Sequence, residues 1–199
     1  MRKIWFAFGD SITDMGYYID TVVEDTGYQG VKFGYSGYSY GVDHTGFGSL
    51  KDVYTDMFRS EQKPDVITIW AGTNDFGHSG TLESMRENMG EIIEGIQHQY
   101  PDVCLLIITP IKRNYDVQDN PGETTGMGPN SLGLYLGDYV HVIKEVARKY
   151  ALPILDLYTL EKINMNNAHE YTLDGLHPTP EYGIHLGHTI AEAITLHVL

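Results

Sequence analysis

Apolar positions along the chain follow two rhythms. Five short segments are almost continuously apolar: "KIWFAF" (3–8), "VKFG" (31–34), "VITIWA" (66–71), "VCLLIIT" (103–109) and "PILDL" (153–157). Runs of this length and character predict strands covered on both faces. Between them the apolar residues fall three and four apart, the spacing of one helical face. Ile12, Met15, Ile19, Val22 and Val23 predict a first helix. Leu50, Val53, Tyr54, Met57 and Phe58 predict a second, with Ser49 as its N-cap. Longer stripes run through Leu82, Met85, Met89, Ile92, Ile93 and Ile96, and through Leu136, Tyr139, Val140, Ile143, Val146 and Ala147. A last helix opens at "TPEYG", where Thr179 can cap and Pro180 can take the first helical position, and continues through Leu186, Ile190 and Ile194. Strand and helix alternate from end to end, which predicts an α/β fold: an open parallel sheet of five strands with helices on both faces.

Composition narrows the class. With 199 residues, 42% hydrophobic and 20% charged, the chain is expected to form a single domain, residues 1–199, able to bury a core without disulfides or metals. No repeat, low-complexity tract or linker interrupts it. No run approaches the roughly 18–20 apolar residues of a membrane span. Arg2 and Lys3 precede too few apolar residues for a signal peptide, so the expected location is the cytoplasm, or outside the cell with a leader removed. The net charge of −14 and the lack of a Lys/Arg cluster argue against nucleic acid and anionic membranes as partners. The one cysteine, Cys104, lies in an apolar run and is expected to be a buried hydrophobe. Trp5 and Trp70 fall in predicted strands and are expected in the core.

The chemistry sits just after the strands. The first is followed by Gly9-Asp10-Ser11, the second by "GYSGYS" with Gly34 and Gly37, the third by "GTND" with Gly72, Asn74 and Asp75; "DGLHP", with Asp174 and His177, precedes the last helix. In a parallel sheet the loops leaving the strands share one edge, so these residues can meet although far apart in sequence. The long stretch 110–133 leaves that edge too, and loops of such length are usually functional or mobile. Ser11 at a strand-to-helix corner is a candidate nucleophile, and His177 a candidate base because imidazole titrates near neutrality. Asp174, three residues before His177, is within a tight turn of its ring and would fix the tautomer. The Gly37 N–H and the Asn74 amide would join the Ser11 N–H as donors to an oxyanion, where losing one donor typically costs about 2.7–4 kcal/mol of barrier lowering.

"FGDSIT", "GYSG", "GTND" and "DGLHP", in this order over residues 8–178, resemble the four blocks of the SGNH hydrolases, also called GDSL esterases or lipases. The resemblance implies a three-layer α/β/α, flavodoxin-like fold. It also implies Ser11 as nucleophile, His177 as base, Asp174 as its orienting partner, and Gly37 and Asn74 as oxyanion donors; the leading expectation is a serine esterase that needs no cofactor or metal. Lys32 stands where many members have Asn, and Gly-Thr-Asn-Asp replaces the Gly-Gly-Asn-Asp of some lipase-like members; neither change touches an assigned residue. The substrate class stays open among lipid, thioester and carbohydrate esters. A short-chain ester, acetyl on a carbohydrate, is preferred because of the loop tyrosines Tyr35, Tyr38 and Tyr40 and because no long apolar stripe offers itself to a lipid; for these tyrosines, and for Phe76 after the third block, packing within the loops is an equal reading.

Other assignments fit the same residues. Ser11 could simply cap the first helix, Asp10 could serve the turn by bonding nearby N–H groups, and Gly34 could answer turn geometry alone. Asp10, Asn74, Asp75, Asp174 and His177 are also good ligands for a metallohydrolase, and a non-catalytic glycan-binding module could keep the fold. His185 and His188, an i, i+3 pair without a third ligand, are expected on a solvated helix face, and His44 and His78 at the surface.

Overall fold

Glycine and burial pattern decide where the predicted elements begin and break. The computed structural model of the chain describes residues 2–41, 46, 48–115, 126, 128–164 and 166–197. The chain starts with β1 (Ile4–Gly9), followed by α1 (Ser11–Met15) and α2 (Ile19–Thr26). One continuous helix was the expectation here; instead Gly16, at φ 72, ends α1 and donates its N–H to the Ile12 carbonyl. That left-handed C-terminal cap is available to glycine at little steric cost. The break leaves Met15 exposed while Ile12 and Val22 stay in the core.

β2 (Gln29–Gly34) begins two residues earlier than the apolar run and is only half-buried, as an edge strand should be. α3 (Leu50–Val53) is capped by Ser49, whose hydroxyl accepts the Lys51 N–H, but it tightens into a 3₁₀ turn over Tyr54–Arg59 and does not run on as α-helix. β3 (Val66–Trp70) leads to α4 (Thr73–Gly77), a short helix whose Gly-Thr-Asn-Asp sequence reads as a turn. Next come α5 (Leu82–Gln99), β4 (Cys104–Ile108), α6 (Leu136–Lys149) and β5, which shrinks to Ile154–Leu155. Two short helices, α7 (Leu157–Leu160) and α8 (Ala168–Tyr171), precede α9 (Pro180–His197). Thr179 caps α9 through its hydroxyl, which accepts the Tyr182 N–H at 3.2 Å.

All neighbouring strands pair in parallel, in the order β2-β1-β3-β4-β5. This is the flavodoxin-like order, and its reversal point lies between β1 and β3. Alternation along β1 sends Phe6 and Phe8 into one core with α5 and α6, and Trp5 and Ala7 into the other with α2 and α9. Two separate apolar cores on one sheet make the three-layer architecture. Each fully buried Ile, Leu, Phe or Met contributes roughly 1.5–3 kcal/mol of transfer free energy.

Trp5 and Trp70 are fully buried, as expected, and the Trp5 indole donates to the Thr68 hydroxyl at 3.0 Å. Cys104 is not: it opens β4 at the amino edge of the sheet and is only half-buried, its thiol facing the His197 carbonyl at 3.7 Å. His185 and His188 are solvated, yet each meets a carboxylate, Glu161 at 3.2 Å and Asp25 at 2.6 Å. His78 is half-buried at the end of α4, since the turn after it folds back onto Asp75. His44 and residues 116–125 and 127 of the long loop lie outside the described residues. Among the described residues, no helix is long and apolar enough to cross a membrane.

Candidate active site

The corner after β1 is organised by Asp10. Its carboxylate accepts the Ile12 N–H at 3.0 Å, so Asp10 is the N-cap of α1 and the Ser11 hydroxyl is left for other work. Gly34 is required by close approach rather than by turn geometry: a Cβ there would stand 2.3 Å from the Asp14 nitrogen and 2.4 Å from its Cα. The end of β2 therefore presses directly on the backbone of α1 and fixes the corner from below.

Ser11 Oγ lies 2.8 Å from His177 Nε2, across 166 residues of sequence. His177 Nδ1 lies 2.6 Å from Asp174 Oδ2, while Asp174 Oδ1 accepts the N–H groups of Leu176 and His177 at 3.0 and 2.8 Å. One carboxylate thus builds the turn with one oxygen and orients the ring with the other. Burial pushes the Asp174 carboxyl up, but the hydrogen bonds and charge of His177, with the Leu176 N–H, outweigh it and hold it below the usual range. An ionised Asp174 favours the Nδ1–H tautomer, which leaves Nε2 to accept the Ser11 proton.

Gly37 follows β2 and Asn74 follows β3, the two strands that flank β1. Gly37, at φ 79, is the third residue of a turn closed by the Tyr38 N–H on the Tyr35 carbonyl, where a left-handed conformation is needed. The Asn74 amide nitrogen donates to the Tyr38 carbonyl at 2.8 Å, which fixes the amide and leaves its second hydrogen. Asp75 reaches the same loop, accepting the Tyr40 and Gly41 N–H groups at 3.0 and 2.7 Å. The second and third blocks are therefore stitched together around the carboxyl end of β1.

Asp10 and Asp75 are both buried. Burial pushes Asp10 up to about 7, opposed by the Ile12 N–H and by the charges of His177 and Arg113, and reinforced by Asp75. Burial likewise pushes Asp75 up to about 6 against the Gly41 and Tyr40 N–H groups. As metal ligands these carboxylates are poorly placed, because Asp10, Asp75 and Asp174 are each already engaged with backbone N–H groups or with His177. Among the described residues, no three His, Cys, Asp or Glu side chains group as a metal-holding set. The aromatic residues divide: Tyr40 and Phe76 are fully buried and cannot meet a ligand, whereas Tyr35 and Tyr38 are half-buried, packed at 5.5 Å, with the Tyr35 hydroxyl on Asp56.

One residue had no signal in the sequence. Arg113, in "PIKRN" after β4, reads as an ordinary loop cation but is buried beside the site, its Nη1 donating to the carbonyl and hydroxyl of Thr73, both at 3.1 Å. Its neighbour Tyr115 meets the His177 ring edge-on, centroids 6.3 Å apart.

The chain matches the model of the GDSL-like lipase/acylhydrolase family over residues 7–182. It is 24% identical over 127 residues to the mouse isoamyl acetate-hydrolyzing esterase 1 homolog; the match covers 60% of this chain and 51% of that protein, about half its length. Its structure is similar to that of a carbohydrate acetylesterase from Sinorhizobium meliloti, with a TM-score of 0.78 at 17% identity over 98% of this chain and 99% of the other. An aryl esterase from M. smegmatis, in an inhibitor-bound form, gives the same TM-score at 15% identity over the same shares. The chain belongs to the GDSL-like lipase/acylhydrolase family, as the four sequence blocks led us to expect.

Proposed function

We propose that this acylhydrolase-family chain is a serine carboxylic ester hydrolase acting on short-chain esters, acetyl esters of a carbohydrate foremost, through an acyl-enzyme and without a metal. The observation that carries the reading is the hydrogen-bonded series Ser11 Oγ, His177 Nε2 and Nδ1, Asp174 Oδ2, at 2.8 and 2.6 Å. Nucleophile and base are in contact, and the base is oriented by a third group. Ser11 Oγ attacks the ester carbonyl carbon as its proton passes to Nε2. The carbonyl oxygen gains the charge and is held by the N–H groups of Ser11 and Gly37 and by the Asn74 amide. Collapse of the tetrahedral intermediate breaks the bond to the alcohol, which leaves with the proton from Nε2. Water, giving a proton to the same nitrogen, then attacks the acyl-enzyme carbonyl; the second tetrahedral intermediate collapses, the acyl–Oγ bond breaks, the carboxylic acid leaves, and Oγ takes back the proton from Nε2.

The acyl preference is supported by the acetate ester in the name of the mouse relative and by the acetylesterase among the similar structures. A carbohydrate alcohol is supported by that same acetylesterase and by Tyr35 and Tyr38 beside Gly37. Turnover of p-nitrophenyl acetate, butyrate and octanoate, followed by acetylated xylan and acetylated monosaccharides, tests each part. Acetate release from the sugars, fastest turnover on p-nitrophenyl acetate and its loss in Ser11→Ala are expected. Preference for octanoate would replace the short-chain assignment with a lipase-like one. Activity lost to EDTA and restored by zinc, with Ser11→Ala still active, would favour a metallohydrolase; no turnover of any ester would favour a binding module.

A further inference from the structure

Taking an ionised group out of water costs several kcal/mol unless its new surroundings compensate, so a buried guanidinium needs a physical reason. Arg113 is only 2% exposed. Its guanidinium carbon lies 5.0 Å from the Tyr115 ring centroid and 5.6 Å from that of Phe76, both within cation–π range. From there Nη1 reaches both oxygens of Thr73, the residue immediately before Asn74. Gly126, on the returning limb of the long loop, closes against it: a Cβ there would stand 2.5 Å from Arg113 Cγ. The following residue, Asn114, donates its N–H to the Gly175 carbonyl at 2.8 Å, inside the turn that carries Asp174 and His177. Residues 113–115 therefore form a strap. One end holds the start of α4, and the other holds the histidine turn and faces the His177 ring.

Resting on the esterase reading above, we propose that Arg113 is a positioning residue for the oxyanion site. Through Thr73 it sets where the Asn74 amide stands relative to the Ser11–His177 pair. The planar fork is suited to this role, since it can lie along two aromatic rings while an N–H points in its plane at Thr73, which a lysine ammonium cannot reproduce. Thr73 supplies two acceptors to one nitrogen, so the first turn of α4 is held at its own backbone rather than by a flexible side chain. Positioning errors on the order of 1 Å are enough to lower a rate by about 10²-fold.

A double-mutant cycle on p-nitrophenyl acetate distinguishes positioning through Asn74 from a general structural effect. Asn74→Ala is expected to lower kcat about 10²–10³-fold. Arg113→Met is expected to lower kcat about 30-fold in the wild-type background with KM within about twofold, and by no more than about twofold in the Asn74→Ala background, as an effect routed through the Asn74 amide and not through the strap's hold on the histidine turn requires. Arg113→Lys keeps the charge without the fork, and Thr73→Val removes one acceptor at constant shape. Each is expected to lose about fivefold, and each loss should likewise vanish beside Asn74→Ala, which keeps the cycle readable if Arg113→Met does not fold. Equal losses in both backgrounds, or unchanged kcat in the Arg113 and Thr73 variants, would overturn the proposal while leaving the esterase reading intact. No turnover by the wild type would overturn both.

Discussion

In the proposed mechanism the site has a proton-transfer half and an oxyanion half, and the two are built by different means. The proton-transfer half, Ser11 with His177 and Asp174, joins two pieces that are each built locally and meet across 166 residues: Asp174 and His177 are three residues apart in one turn, and Ser11 is the first residue after a cap. The oxyanion half is held from a distance. Asn74 is fixed by Tyr38 at a separation of 36 residues, Asp75 by Tyr40 and Gly41, and Thr73 by Arg113 across 40 residues. Groups that move a proton need one another; groups that hold a developing charge need a rigid frame. The first half can therefore be compact and partly exposed, whereas the second buries polar and charged side chains to gain its rigidity.

The largest expected effects fall on the compact half. Ser11→Ala should lower kcat by about 10⁶-fold, and adding His177→Ala should cost little more, because the two act as one unit. Additive losses in the steady-state rates would break that half into independent parts. Asp174→Ala should cost about 10⁴-fold, with the ring no longer held in the Nδ1–H tautomer. A loss below about tenfold in kcat on p-nitrophenyl acetate would show that the turn orients His177 without its carboxylate.

Between the halves stands Asp10, whose buried carboxyl titrates near 7 in the fold. It stays neutral there while the unfolded chain ionises above about pH 4. The unfolded state then binds fewer protons, so stability falls as pH rises through that window and levels off above it. Asp10→Asn keeps the cap without the titration and should gain on the wild type by about 4 kcal/mol between about pH 4 and 7.5. Asp75 titrates in both proteins, so the difference in thermal midpoint reports Asp10; a gain that does not change with pH would place the carboxyl outside the low-dielectric frame.

Asn74→Ala sharpens the comparison from the other side, with about 3 kcal/mol lost in kcat/KM and the Ser11–His177 pair intact. Inactivation by an organophosphate, which also builds charge on oxygen, should slow in parallel. Were Asn74→Ala to lower Tm strongly without affecting kcat, the amide would belong to the frame alone. The smallest effect is expected for Gly34→Ala, where the added Cβ meets the α1 backbone; about 2 kcal/mol of stability should be lost in denaturant unfolding. Unchanged stability would mean that the corner under Ser11 can yield.

Legibility follows the same division. The strands were readable because β1, β3 and β4 are covered on both faces, so their apolar runs are nearly unbroken. α5, α6 and α9 were readable because one face of each packs on the sheet at helical spacing. The expected single helix over Ile12–Val23 failed because apolar spacing continues through Gly16 although the backbone does not. α4 was missed because Gly-Thr-Asn-Asp has turn propensities and forms a helix only with its neighbours in place. For Tyr40 and Phe76 the sequence left ligand contact and internal packing both open, and they went into the core; Arg113 was passed over because its burial depends on Thr73, Phe76 and Tyr115.

By itself, then, the order of residues determined the alternation of strands and helices, hence the parallel sheet, and with it the edge at which Ser11, Gly37, Asn74, Asp174 and His177 emerge. These are consequences of short-range periodicity and turn chemistry, which any window of about ten to twenty residues contains. The tertiary structure alone decided that Asp10 and not Ser11 caps α1, that the Asn74 amide is held by Tyr38, and that Arg113 lies buried at one end of the strap. Burial and hydrogen-bond partnership are properties of contacts between segments tens of residues apart, and no local pattern encodes which polar group will find its partner there.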